Sequence, residues 1–129
     1  MAHPNAEVAR KAGDKLAAGD VKGFLEFHTE DVVIHLPGRN QISGDHEGKD
    51  AVAKMFQKQF QILDGPPKIE IHDVLAGDDH VAVLANQTFT RGGKSFTTPN
   101  VVLLHVKDRK ITEAWVQPQD QYAADEFWS

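Results

Sequence analysis

The sequence predicts an α+β domain in which three helices near the N-terminus cover a strongly curved antiparallel sheet that closes into a cone. Three observations carry that expectation. Apolar residues recur at helical spacing through the first half of the chain, whereas from Ile69 onward they alternate with polar ones. Short Gly- and Asp-containing turns, such as Arg91-Gly92-Gly93-Lys94, punctuate the second half at hairpin distances. Neither layer can bury its apolar side alone, so the helices must pack on one face of the sheet. Short hairpins between long twisted strands leave that face concave, and a concave apolar face is where small ligands bind.

The elements follow in order. Asn5 is the expected cap of a first helix carrying Val8, Ala12 and Leu16, which ends at Gly19. Asp20 caps a second, short helix with Val21, Phe24, Leu25 and His28 along one face; His28 is read as a packing or helix-end residue. Val32 to Leu36 is a β-branched run stopped by Pro37-Gly38, hence a short strand. Arg39 to Glu47 is polar and without period, and Gly48-Lys49-Asp50 then opens a third helix with Asp50 as cap. Val52, Met55, Phe56, Gln59, Phe60 and Leu63 form its buried stripe before Asp64-Gly65-Pro66-Pro67 ends it. Four strands follow: Ile69 to Leu75, His80 to Thr90, Ser95 to Val106, and Ile111 to Gln117. Pro99 marks a bend, bulge or edge in the third of these. The predicted order is α-α-β-α-β-β-β-β, a single domain over residues 1–129 with no repeat and no linker.

Composition narrows the function classes. The chain has no cysteine, which rules out disulfides, thiolate catalysis and cysteine-based zinc sites and fits a cytoplasmic protein. Its 14 Lys and Arg stand against 19 Asp and Glu, a formal charge of −5, with no basic stripe, so nucleic acid is not an expected partner. Apolar runs such as Val101 to Leu104 are too short to span a bilayer, and the first residues carry no secretory pattern. His46 sits among Asp45 and Glu47, but three adjacent residues converge poorly on one ion, so no metal and no cofactor are expected. Gly92-Gly93 precedes no helix and is a turn rather than a phosphate cradle.

The pattern Pro37-Gly38-Arg39-Asn40, Ser43-Gly44-Asp45 and Gly48-Lys49-Asp50-Ala51-Val52, with Trp115, Asp120-Gln121-Tyr122 and Asp125-Glu126-Phe127-Trp128 at the end, resembles the nuclear transport factor 2-like superfamily. Within it the chain is most similar to the SnoaL-like, or polyketide cyclase-like, branch, which is related to ketosteroid isomerase-like and cystatin-like proteins. The resemblance covers essentially the whole chain. It implies the fold; the activities it spans run from isomerase, cyclase and hydrolase chemistry to binding without turnover. Ketosteroid isomerases carry an acidic base directly before the proline, where this chain has Leu36. Limonene epoxide hydrolases carry an asparagine where this chain has His35, and an aspartate where it has Gln117. Polyketide cyclases use an aspartate after the last-strand tryptophan, a role the resemblance assigns to Asp120.

His35 and Asp120 are therefore the candidate catalytic pair. An imidazole titrates near neutrality and transfers protons in either direction, and a carboxylate with a raised pKa is a suitable partner. The structural alternatives are a hydrogen-bonded strand histidine and a cap for the C-terminal tail. Trp115 and Gln117 share one strand face, and with Tyr122 they are the candidate substrate-binding residues, through stacking and directional hydrogen bonds. The expected ligand is a small hydrophobic, oxygenated organic molecule. A homodimer through the sheet is the other expected partner. As a third possibility, Phe56, Phe89 and Phe96 fill the space and the domain is a scaffold.

Overall fold

In the computed structural model, which describes residues 3–129, the chain forms ten elements. Met1 and Ala2 of the expected domain lie outside the described residues. The elements are α1 (Pro4–Ala17), α2 (Val21–Leu25), β1 (His28–Leu36), β2 (Gly44–Glu47), α3 (Lys49–Ile62), β3 (Lys68–Ala76), β4 (His80–Arg91), β5 (Lys94–Lys107), β6 (Lys110–Pro118) and α4 (Gln121–Phe127). All eight expected elements are present. The two additions are β2, in a loop that carries no sequence period, and α4 in the tail.

The strands form one six-stranded sheet in the order β2-β1-β6-β5-β4-β3. The expectation of a wholly antiparallel sheet is corrected at one seam. Residues β3 to β6 form a meander, but β1 lies parallel to β6, with Ile34 opposite Ala114 and His35 opposite Trp115. Parallel neighbours need a long crossover, and β2, α3 and the meander supply it. Both hairpins of the long strands have two central residues with positive φ: Gly92 and Gly93 at 56° and 80°, Asp108 and Arg109 at 51° and 62°. That geometry matches the right-handed twist of the strands it joins. Pro99 causes no register shift against β4; β5 loses its β6 neighbour there, because the β5–β6 pairing starts at Asn100 with Pro118. Its missing N–H therefore sits at a local edge.

Helix capping corrects two expectations. The side chain of His3, not Asn5, caps α1 by accepting from the Asn5 N–H. Asn5 is buried one residue into the helix and donates from Nδ2 to the carbonyls of Gly77 and Asp78, tying α1 to the β3–β4 turn. At α3 the cap position is Gly48, at φ 87°, and Asp50 stands in the first turn, where its charge opposes the helix dipole favourably. Asp20 caps α2 as expected, accepting from the Gly23 N–H at 2.8 Å.

Strand alternation sorts the side chains. Val32 and Ile34 of β1, Val81, Val83 and Ala85 of β4, and Leu104 and Val106 of β5 face the helices and join Val8, Ala12, Val52 and Phe56 in the main core. A second cluster of Ile42, Leu63, Phe89 and Trp128 closes the other end, where α4 folds back over the sheet. Gly38 is required at that contact: its φ is 89°, and a Cβ would run into the Asp125 carboxylate and the Gln121 amide of α4. Asp125 accepts there from the Arg39 N–H and the Asn40 amide, and the Asn40 bond is the main cause of a carboxyl pKa below its ordinary value.

Candidate functional site

Between the helices and the concave face the core is incompletely filled. A cavity of about 180 Å³ runs from Phe24, His28 and Ile111 to Phe96, Asn100 and Trp128. Phe56, Phe89 and Phe96 all border it without closing it, so the filled-scaffold expectation is not met. For scale, a ~150 Å³ apolar cavity accepts a benzene ring. Among the described residues, no Lys, Arg, Asp or Glu lines the space, and the one titratable lining side chain is His28.

The polar groups of the wall sit toward its two ends. His28 pairs with Ile111 and Asn100 with Pro118, seven residues further along β6, which separates the two by roughly 20 Å of strand. At the Asn100 end, its Nδ2 donates to Gln87 Oε1, while its Oδ1 is buried with no partner. Thr98 and Gln87 border the same region, and Gln59 reaches the cavity from α3. Reversing the Asn100–Gln87 amide pair still leaves one polar atom of Asn100 unfilled. An orphaned buried amide atom costs about 1–3 kcal/mol, and this one belongs to a residue of the cavity wall.

At the other end His28 is buried, and its ring lies 4.4 Å from that of Phe24. Nδ1 is 2.9 Å from the Phe24 carbonyl oxygen, which can only accept, so Nδ1 carries the proton. Burial pushes the pKa from 6.5 down to about 4; the Phe24 bond opposes this and the positive charges of Lys49 and Lys110 add to it. The imidazole is therefore neutral near pH 7, with its Nε2 lone pair free of any partner among the described residues. The sequence pattern presents His28 as a packing or helix-end residue rather than as a residue of the site. The missed signal is its place at the start of β1, just after the amphipathic α2, on the strand that carries Ile34 and Leu36 to the cavity wall.

The residues picked out by the sequence do not meet in this cavity. His35 lies between Ile34 and Leu36 on β1; these two border the cavity, so His35 points to the outer face of the sheet. There its Nδ1 donates to Asp45 and its Nε2 to Glu113, each at 2.6 Å, and its ring stacks on Trp115 at 5.1 Å. Trp115 and Gln117 share that outer face, in an open groove with Leu75, Leu103 and His105. Asp120 is the cap of α4, accepting from the Ala123 N–H at 3.1 Å, and Tyr122 is 91% exposed. The placement of these five residues on a pocket wall is thus corrected: none of them borders the interior cavity. For His35, Trp115 and Gln117 the reason is parity, since a strand offers alternate residues to opposite faces; Asp120 and Tyr122 lie at the start of α4, outside any strand. His105 is on the outer face as well, with Leu104 in the core. His46 donates from Nε2 to the Ile42 carbonyl rather than joining a metal cluster, and among the described residues no group of three or more His, Asp or Glu side chains is arranged to hold a metal ion.

The outer cluster has its own electrostatics. The Glu113 and Asp45 carboxylates, in that order, hold the His35 pKa above 6.5. Folding therefore takes up a proton at this site, and the stabilisation is complete below pH 6.5 and fades as pH rises through the raised value. His35→Gln should accordingly lose more stability at pH 6 than at pH 9, as measured by urea unfolding at both.

The chain is an α+β cone with an uncharged cavity between its helices and its sheet. The sequence profile of the SnoaL-like domain matches residues 9–114, and the chain belongs to that family, within the nuclear transport factor 2-like superfamily. Bal32a, from a soil-derived mobile gene cassette, is 31% identical with a TM-score of 0.91, over 98% of this chain and 97% of its own. Rv0034 of Mycobacterium tuberculosis is 24% identical over 124 residues, 95% of each chain. TerC, co-crystallised with polyporic acid, shares the fold at 20% identity and a TM-score of 0.87, over 97% of this chain and 98% of its own. No helix among the described residues is long and apolar enough to cross a membrane.

Proposed function

We propose that the protein binds a small, hydrophobic, oxygen-bearing organic molecule in the interior cavity. The observation that carries this is the coexistence of an uncharged cavity with a buried amide oxygen, Asn100 Oδ1, that the protein itself leaves unpaired. A well-packed core tolerates few such groups, and a ligand donor would complete it. Family membership and the ligand-bearing neighbour TerC support the same reading. Of the family's two modes, binding is favoured over isomerase, cyclase or hydrolase turnover. Acid–base chemistry needs a group titrating near neutrality at the substrate, and His28, the one titratable lining residue among the described residues, has a pKa of about 4. Turnover by His35 would require the substrate on the outer face, away from Asp120 at the start of α4.

A thermal-shift screen against neutral, oxygenated one- and two-ring compounds tests the proposal. A ligand at a hundredfold its Kd should stabilise the protein by about 2.7 kcal/mol. Ala85→Phe, which places a ring in the cavity from the middle of β4, should abolish each such shift while far-UV circular dichroism stays unchanged. Shifts that survive Ala85→Phe would place binding elsewhere. The expected homodimer is proposed through the outer sheet face, where Leu75 and Leu103 are 57% and 38% exposed. Sedimentation equilibrium should give twice the monomer mass, and Leu103→Lys should halve it.

A further inference from the structure

We infer that His28 Nε2 is the hydrogen-bond acceptor for a neutral hydroxyl at the inner end of the cavity, so that the ligand is an alcohol, phenol or enol and not a carboxylate. The inference rests on the cavity being the binding site and adds which end of the ligand is read, and by what.

Three features converge on it. His28 is 3% exposed and stands in the cavity wall. Its Nδ1–H is committed to the Phe24 carbonyl, which fixes the tautomer and turns Nε2 into a pure acceptor. The surroundings of the ring are apolar: Phe24 against it, Ile111 opposite it in the sheet, and Leu104 on the same wall. An acceptor in such a place selects a donor, since a ligand without one leaves Nε2 desolvated and unpaired.

The same surroundings reject charge. Among the described residues no cation lines the cavity, and the Lys49 and Lys110 charges act on the ring only from outside its wall, so a carboxylate would lose its hydration with no ion pair to replace it. The site does not ionise the hydroxyl either. A base with a pKa of about 4 facing a phenol of pKa ~10 disfavours proton transfer by about a millionfold. Both partners stay neutral, and His28 determines specificity without moving a proton. The amide cluster at Asn100, at the opposite end, leaves the apolar middle for the body of the ligand.

The test uses three matched probes on the unaltered protein by isothermal titration calorimetry at pH 7.5: 4-propylphenol, its methyl ether and 4-propylbenzoate. The phenol is expected to bind about fivefold to tenfold more tightly than the ether, the gain of one net hydrogen bond. The benzoate is expected to bind at least a hundredfold more weakly than the phenol. In His28→Phe the phenol should fall to the affinity of the ether, with the ether unchanged. In ¹⁵N-histidine spectra the free protein should show the Nδ1–H tautomer, and the phenol alone should move the Nε2 resonance. Equal affinity of phenol and ether, or an Nε2 resonance indifferent to the phenol, would overturn the assignment while leaving the cavity reading intact. Failure of both neutral probes to bind would overturn the two together.

Discussion

His28→Phe is expected to remove most of the protein's acid sensitivity between pH 6.5 and 4. The native imidazole has a pKa of about 4 when folded, against 6.5 for an exposed histidine. In that interval the unfolded chain holds a proton that the folded one does not, so native stability falls as the pH falls and is complete only above pH 6.5. At about 1.4 kcal/mol per tenfold in proton affinity, the full loss amounts to about 3 kcal/mol by pH 4. Phenylalanine keeps the ring packed against Phe24 and has nothing to protonate. Its cost at neutral pH is modest, because the Phe24 carbonyl also accepts from the Phe27 N–H at 3.2 Å. Urea unfolding of both proteins at pH 7.5, 5.5 and 4.5 measures the difference; parallel losses in the two would show that His28 is not held neutral by burial.

Trp128→Ala should be the most destabilising single truncation at the far end of the cavity. The indole is 4% exposed, meets Phe89 edge-on at 5.2 Å and packs with Ile42 and Leu63. It is also the residue through which α4 closes the cone, aided by Arg91 Nη1, which donates to the Phe127 and Ser129 carbonyls. Removing a buried tryptophan costs about 3–5 kcal/mol, which for a domain of this length is a fall in Tm on the order of 10–15 °C. Differential scanning calorimetry checks it. A change under 1 kcal/mol would mean that the tail is not docked on the sheet.

His35 and His28 show how an identical residue type acquires opposite behaviour from strand parity. They lie on one strand, seven positions apart. His35 is outside between two carboxylates and gains a proton on folding; His28 is inside against phenylalanine and releases one. Their contributions to stability consequently run in opposite directions with pH.

That contrast also explains what was legible in the sequence. Helix stripes such as Val52-Met55-Phe56 and the Gly92-Gly93 turn are local signals, and they sufficed for the element order and the fold. Which face of β1 and β6 turns inward is not local. It is set by the pairing of β1 with β6 across some eighty residues of chain, so spacing alone leaves the faces of Trp115, Gln117 and His35 open. For Asp120 the cap alternative is the one observed, since an Asp three residues before Ala123 is the signature of an ordinary helix cap. Asn100 gave no signal at all, because a strand amide becomes informative only when its neighbours fail to satisfy it.

The central claim, that the cavity and not the outer groove binds the ligand, is most directly tested by methyl NMR of the Ile- and Leu-labelled protein titrated with 4-propylphenol. Binding in the cavity predicts shifts at Ile34, Ile71 and Ile111, with Leu75 and Leu103 of the outer groove unmoved. Shifts confined to Leu75 and Leu103 would contradict the account and place the site on the face that carries His35 and Trp115.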